Sequence, residues 1–207
     1  MKKAVVFLAD GFEEIEAVTI IDYLRRADTG VQTVAVPSPS VQKENMVRGS
    51  HGIFVKADLS FVEFEKEYSS QLPDLVYVPG GMPGSVNLGL CHGVCDFLVR
   101  CYENGKITSA LCAAPAVVLA KTGILKGKKW TCYPGMEEGL VEYCGTPERM
   151  MELMEGSRLE RSVPFVVDGN LVTGRGPGTA EQFAMQLVLM LHGQKVADLI
   201  HATSIQR

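Results

Sequence analysis

Short runs of apolar, β-branched residues alternate along this chain with longer stretches in which apolar side chains recur every three or four positions. Strand–helix–strand units produce that alternation, and it predicts an α/β fold built on a mostly parallel sheet with helices on both faces. Residues 4–9 read as the first strand. Residues 13–26 read as a helix whose apolar face is Ile15, Val18, Ile21 and Leu24, with acidic residues in the first turn, where the helix dipole favours them. Residues 31–36 return as a strand, 50–57 supply a strand or hairpin arm, and 75–78 form a short buried strand; 94–102 continue as helix. Residues 130–132 form a strand and 148–155 a polar helix. Residues 163–167 and 171–173 flank Asp168-Gly169-Asn170, a hairpin signal, and Thr179 with Gln182 makes a capping box for a helix through Leu191. No repeat, linker or low-complexity segment interrupts the pattern, which predicts one domain over residues 1–207.

Composition narrows the class. A chain of 207 residues, 46% of them hydrophobic, can bury a full core without metal or disulfide staples. The net charge of -4, with no basic cluster denser than Lys126-Gly127-Lys128-Lys129, argues against a specific nucleic-acid partner. No apolar stretch approaches the ~20 residues of a membrane span. The basic, apolar start runs into Asp10, Glu13 and Glu14 and reads as a strand, not a signal peptide. Six cysteines without a Cys-x-x-Cys pair fit a reducing compartment, so a cytoplasmic location is expected. Cys91, His92 and Cys95 offer metal-ligand types on one helix face, but a fourth ligand is not evident; helix packing is the preferred reading, and no metal or cofactor is expected.

The chemistry concentrates at Cys112. Residues 106–111 form an apolar strand that runs straight into an apolar helix opened by Pro115, and Cys112 stands at the corner. A side chain on such a turn is presented at the carboxyl edge of the sheet, next to the unpaired amides of the following helix. Those amides favour a thiolate and are expected to lower the thiol pKa below about 8.5. The competing reading is an inert, buried small hydrophobe.

Other loops reach the same edge. Gly80-Gly81 follows the 75–78 strand, and glycines there let backbone N–H groups approach a substrate oxygen, as an oxyanion hole requires. Gly174-Arg175-Gly176-Pro177-Gly178 precedes a helix and is a candidate anion site. Neither matches a phosphate-binding fingerprint, which argues against nucleotide binding. The first strand-to-helix corner adds Glu13, Glu14 and Glu16. Glu13 and Glu14 read as dipole compensation on a wet helix end; Glu16, near the edge of the apolar face, is the one expected to be partly buried and to share a proton with Cys112. His51, His92, His192 and His201 read as surface or packing residues.

Four motifs together carry a resemblance: Ala9-Asp-Gly-Phe-Glu-Glu-Ile-Glu16, Pro79-Gly-Gly-Met-Pro-Gly84, Ala110-Leu-Cys-Ala-Ala-Pro115 and Gly174-Arg-Gly-Pro-Gly-Thr179. The chain resembles the ThiJ/PfpI superfamily, in the branch of the Parkinson-disease-associated protein deglycase and its bacterial relatives. The resemblance implies a flavodoxin-like three-layer sandwich, a homodimer, a Glu16 carboxyl hydrogen-bonded to an oxidisable nucleophile at Cys112, and oxyanion contacts from Gly80, Gly81 and Ala113. Peptidase-like members place histidine directly after the nucleophile; Ala113 stands there instead, which argues against proteolysis. Where relatives carry a histidine near the cysteine, the aligned stretch is Thr131-Cys132-Tyr133-Pro134, so Tyr133 takes that place as a hydrogen-bond donor.

Two functions then rest on Cys112. One is a cofactor-free glyoxalase or protein deglycase acting on small 2-oxoaldehydes (methylglyoxal, glyoxal) or early glycation adducts, with Glu16 moving the proton. The other is a non-enzymatic oxidative-stress sensor or redox-regulated chaperone that works through oxidation of Cys112.

Overall fold

The computed structural model describes residues 1–38 and 44–206. The chain begins with β1 (Lys3–Leu8), α1 (Glu14–Arg26) and β2 (Gly30–Ala35), then a small antiparallel hairpin of β3 (Met46–Arg48) and β4 (Phe54–Lys56). β5 (Leu59–Ser60), α2 (Phe61–Glu67), β6 (Leu75–Val78), α3 (Gly84–Leu90), α4 (His92–Glu103) and β7 (Ile107–Leu111) follow. Past Cys112 come a π-helical turn, Pro115–Leu119, and a 3-10 turn, Ala120–Thr122. The remainder is β8 (Lys129–Trp130), α5 (Leu140–Cys144), α6 (Pro147–Leu153), β9 (Arg158–Leu159), β10 (Phe165–Asp168), β11 (Leu171–Gly174), α7 (Ala180–His192) and α8 (Gln194–Thr203).

Seven strands form the main sheet in the order β10-β11-β7-β6-β1-β2-β5, parallel except for the β10–β11 hairpin. Ala4 pairs with Leu75 and Leu75 with Ile107, so β1, β6 and β7 run in step and their carboxyl ends open on one edge. Successive strand side chains face opposite ways. β1 therefore sends Val5 and Phe7 into one core and Ala4, Val6 and Leu8 into another. Both faces are covered, which is why the central strands read as unbroken apolar runs. On the first face α2 and α4 close a ring of aromatics, with Phe64 edge-on to Phe7 at 4.9 Å and to Phe97 at 4.8 Å. On the second, Ile20 and Leu24 of α1 pack with Phe183 and Leu187 of α7; burying each such side chain contributes about 2 kcal/mol. This is the expected flavodoxin-like sandwich.

Two local expectations are corrected. The apolar face of α1 is rotated: Ile15 and Val18 are 56% and 48% exposed, while Glu14, Glu16, Ala17, Ile20, Ile21 and Leu24 are buried. The carboxylates occupy interior positions because each finds hydrogen-bond donors there, a compensation that apolar spacing does not encode. Thr179 does not cap α7 with Gln182; its hydroxyl donates to Gly176 O at 2.8 Å within its own loop.

Candidate active site

Cys112 sits where β7 ends, with φ at +61°, the left-handed region that side-chain-bearing residues seldom adopt. Holding a non-glycine residue there costs on the order of 1–3 kcal/mol, and neighbouring backbone keeps it in place. The Cys112 N–H donates to Gly174 O at 3.0 Å, and Cys112 O accepts the Tyr133 N–H at 2.8 Å. The last residue of β11 and Tyr133 thus brace the Cys112 backbone from either side. Pro115 opens the following turn, where its missing N–H leaves no bond unmade.

Glu16 approaches from the first turn of α1. Glu13 is the helix cap, its Oε2 accepting the Glu16 N–H at 2.7 Å. The Glu16 carboxyl has no exposure to solvent: Oε2 accepts the Gly80 N–H at 2.7 Å, and Oε1 accepts no N–H or O–H. Its side-chain hydrogen-bonding neighbour is the Cys112 thiol. From below, Tyr77 Oη donates to Glu16 O at 3.2 Å. Only glycine fits at position 80, since a Cβ there would stand 2.5 Å from Cys112 Cβ and 2.7 Å from Glu16 Oε2.

Burial dominates the electrostatics of the pair. It pushes the Glu16 carboxyl up to about 7; the Gly80 N–H and the Cys112 thiol pull the other way, and the Glu13 charge adds to the rise. The thiol also lies above its ordinary value, first through burial, then through the charge and hydrogen bond of Glu16, with the Gly81 and Ala113 amides opposing. The lowered thiol expected from the helix end alone is therefore corrected: two amides do not outweigh burial beside a carboxylate. Near neutral pH the two groups titrate as a unit that retains one proton.

The other candidates divide. The Gly81 and Ala113 N–H groups face the sulfur. The Gly80 N–H, expected to serve a substrate oxygen, is instead committed to Glu16 Oε2. Tyr133 contributes its backbone N–H; its ring lies against Gly176, beside Arg175 in a neighbouring cleft of about 500 Å³, and its hydroxyl hydrogen-bonds neither Cys112 nor Glu16.

Glu13 and Glu14 are buried, not wet, which corrects the solvated-end reading. Glu14 Oε1 accepts the backbone N–H groups of His51 at 2.7 Å and Ile53 at 3.3 Å, and Oε2 meets His51 Nδ1 at 2.9 Å and the Ser50 hydroxyl at 3.2 Å. Burial works against the Glu14 charge, but the His51 side-chain and backbone bonds outweigh it and hold the carboxyl below its usual value. Sequence reading set His51 aside, and no local signal marks it, since its partner lies 37 residues away. Glu13, Glu14 and His51 offer ligand atoms within 4.8 Å of one another, the one such metal-compatible group among the described residues; Cys91, His92 and Cys95 do not form one.

Residues 2–190 match the DJ-1/PfpI family model. Protein dj-1beta of Drosophila melanogaster is 36% identical over 94% of this chain and 91% of its own, and a deglycase of Pyrococcus abyssi is 26% identical over 91% and 99%. Protein DJ-1 homolog A of Arabidopsis thaliana is 34% identical over the full chain, which spans about half (47%) of that relative's length. Among solved structures, oxidised Toxoplasma gondii DJ-1 superposes with a TM-score of 0.79 at 33% identity, covering 99% of this chain and 98% of that one.

Proposed function

This chain belongs to the DJ-1/PfpI family, and on that premise we propose that it is a cysteine-dependent, cofactor-free glyoxalase or protein deglycase acting on methylglyoxal, glyoxal or early glycation adducts. The observation that carries the reading is the buried Glu16 carboxyl against the Cys112 thiol, with the Gly81 and Ala113 amides turned toward the sulfur. The proton passes from sulfur to Glu16, and the thiolate adds to the aldehyde carbon of the 2-oxoaldehyde. The amides hold the new oxyanion, worth about 3 kcal/mol per donor in comparable sites. Glu16 returns that proton to the oxyanion, giving a hemithioacetal; as a carboxylate again, and titrating near 7, it is matched to carry the proton from the former aldehyde carbon to its neighbour. Water then releases the 2-hydroxy acid from the resulting thioester and restores the thiol, so methylglyoxal plus water becomes lactate with no external oxidant. The name of the Pyrococcus abyssi relative supports a deglycase label for the same chemistry.

A second reading, oxidation sensing, is favoured by one observation: Cys112 is only partly buried, and Glu16 stands ready to hydrogen-bond a sulfinate. For the partner, we propose a second copy of this chain, docked on the exposed apolar group of Ile15, Val18, Ile53 and Phe54 at the amino end of α1 and the neighbouring hairpin. No helix among the described residues is long and apolar enough to cross a membrane, and the six free cysteines fit the cytoplasm. The test is lactate formed from methylglyoxal without glutathione by wild type and Cys112→Ser. Multiple turnovers lost in the variant support the enzyme; no lactate from either protein leaves oxidation sensing.

A further inference from the structure

We infer that His51 is a positioning residue for the Cys112–Glu16 pair, an exposed imidazole that acts through Glu14 and Glu13 to set how readily the pair yields its proton. The path is continuous. His51 Nδ1 lies 2.9 Å from Glu14 Oε2 and 4.0 Å from Glu13 Oε1. Glu13 Oε2 accepts the Glu16 N–H at 2.7 Å, and the Glu13 N–H donates to Gly80 O at 3.0 Å. Glu13 thus touches Glu16 and also the residue whose amide grips the Glu16 carboxyl.

Two buried carboxylates at this corner leave an uncompensated negative field beside a pair that must hold a negative charge to react. Among the described residues His51 is their ionic partner. Of the other charged groups near it, Arg48 on the hairpin points its guanidinium toward Gly52, 4.0 Å from where a Cβ would stand, and forms no ion pair with Glu13 or Glu14. A charged His51 offsets the field of Glu13 and Glu14, and ionisation of the pair becomes easier; a neutral His51 leaves the field unopposed, and ionisation becomes harder. Glu14 keeps the imidazole protonated above the ordinary histidine value, which carries the offset toward neutral pH. In the single chain the side chain is 71% exposed, and salt and water there screen the effect to a modest size.

The inference extends the proposed activity but is tested on the sulfur itself. The rate of Cys112 alkylation by iodoacetamide, followed on its own peptide by mass spectrometry between pH 5.5 and 9, reports the reactive thiolate whether or not the protein turns over aldehydes. In His51→Gln the rate at pH 7 is expected to fall about threefold, half of a tenfold-per-unit shift on a logarithmic scale, with the profile displaced to higher pH. His51→Lys, with a fixed charge, should match wild type at the acid end of the range and exceed it at the alkaline end, where the imidazole has lost its proton. Superposed profiles for the three proteins, or a lysine variant that behaves like the glutamine one, overturn the assignment. Failure of lactate formation with these shifts intact would remove the glyoxalase reading and leave His51 in place.

Discussion

Glu16→Gln should make the protein more stable and less active, and the gain should depend on pH. The Glu16 carboxyl titrates at about 7 in the fold against 4.5 for the free group, raised chiefly by burial. Between those values the folded chain holds a proton that the unfolded chain has released. Wild-type stability therefore falls as pH rises from 4.5 through about 7 and is level above it. At 1.36 kcal/mol per unit, the difference amounts to about 3 kcal/mol at pH 8 and under about 1 kcal/mol at pH 5. A glutamine is neutral throughout, and its carbonyl oxygen can still accept the Gly80 N–H now bound by Glu16 Oε2 at 2.7 Å.

The variant should therefore unfold roughly 6–12 °C higher than wild type at pH 8, given about 2–4 °C per kcal/mol in a chain of this size. At pH 5 the two should nearly coincide. His51, raised above its ordinary value by Glu14, also titrates in this window, but it is common to both proteins and largely cancels in the difference. Thermal unfolding by circular dichroism at the two pH values decides it, with lactate formation measured on the same samples. An equal shift at both pH values, or a less stable variant at pH 8, would refute a carboxyl held near neutrality by burial. Undiminished turnover would remove Glu16 from the chemistry.

Gly80→Ala should lose about 1–3 kcal/mol of stability through overpacking and, by displacing Cys112 from Glu16 by a fraction of an ångström to an ångström, about 100-fold in turnover; denaturant titration and lactate assay read both. Tyr133→Phe should leave turnover within about twofold, since its hydroxyl bonds neither member of the pair; a loss beyond tenfold would restore the tyrosine to the mechanism. Ile15→Glu should give a folded monomer by sedimentation velocity if the exposed face of α1 joins two copies, and an unchanged sedimentation coefficient would place the interface elsewhere.

The parts of this molecule legible in the chain are those where local pattern and tertiary role coincide. Residues 75–78 are buried on both faces and read as an apolar run because nothing else survives there. The Cys112 corner is legible because strand, cysteine and Pro115 are contiguous. The amino end of α1 is not. Counting from Ile15 gives a plausible apolar stripe, yet the helix turns Ile15 and Val18 outward and Glu13, Glu14 and Glu16 inward. Two of the three find partners far off in sequence, Gly80 for Glu16 and His51 for Glu14, while Glu13 caps the Glu16 N–H locally. The direction of the Gly80 amide was equally hidden, since a Gly-Gly pair suits a substrate oxygen and a carboxylate alike.

On the proposed chemistry, that concealment follows from what the site needs. A carboxyl that gives and takes a proton near neutrality must be buried, and a buried carboxyl is a stability defect that no local rule would place on a helix. The fold tolerates it by surrounding it with matched commitments. Gly80 lacks a side chain so that its amide can reach Glu16; Glu13 caps α1 on the residue it also charges; Cys112 accepts a left-handed backbone to meet the carboxyl. Loss of a supporting group such as Gly80 should cost stability and turnover alike, whereas Glu16→Gln alone trades one for the other: the stability it gains and the turnover it loses are two readings of a single buried charge.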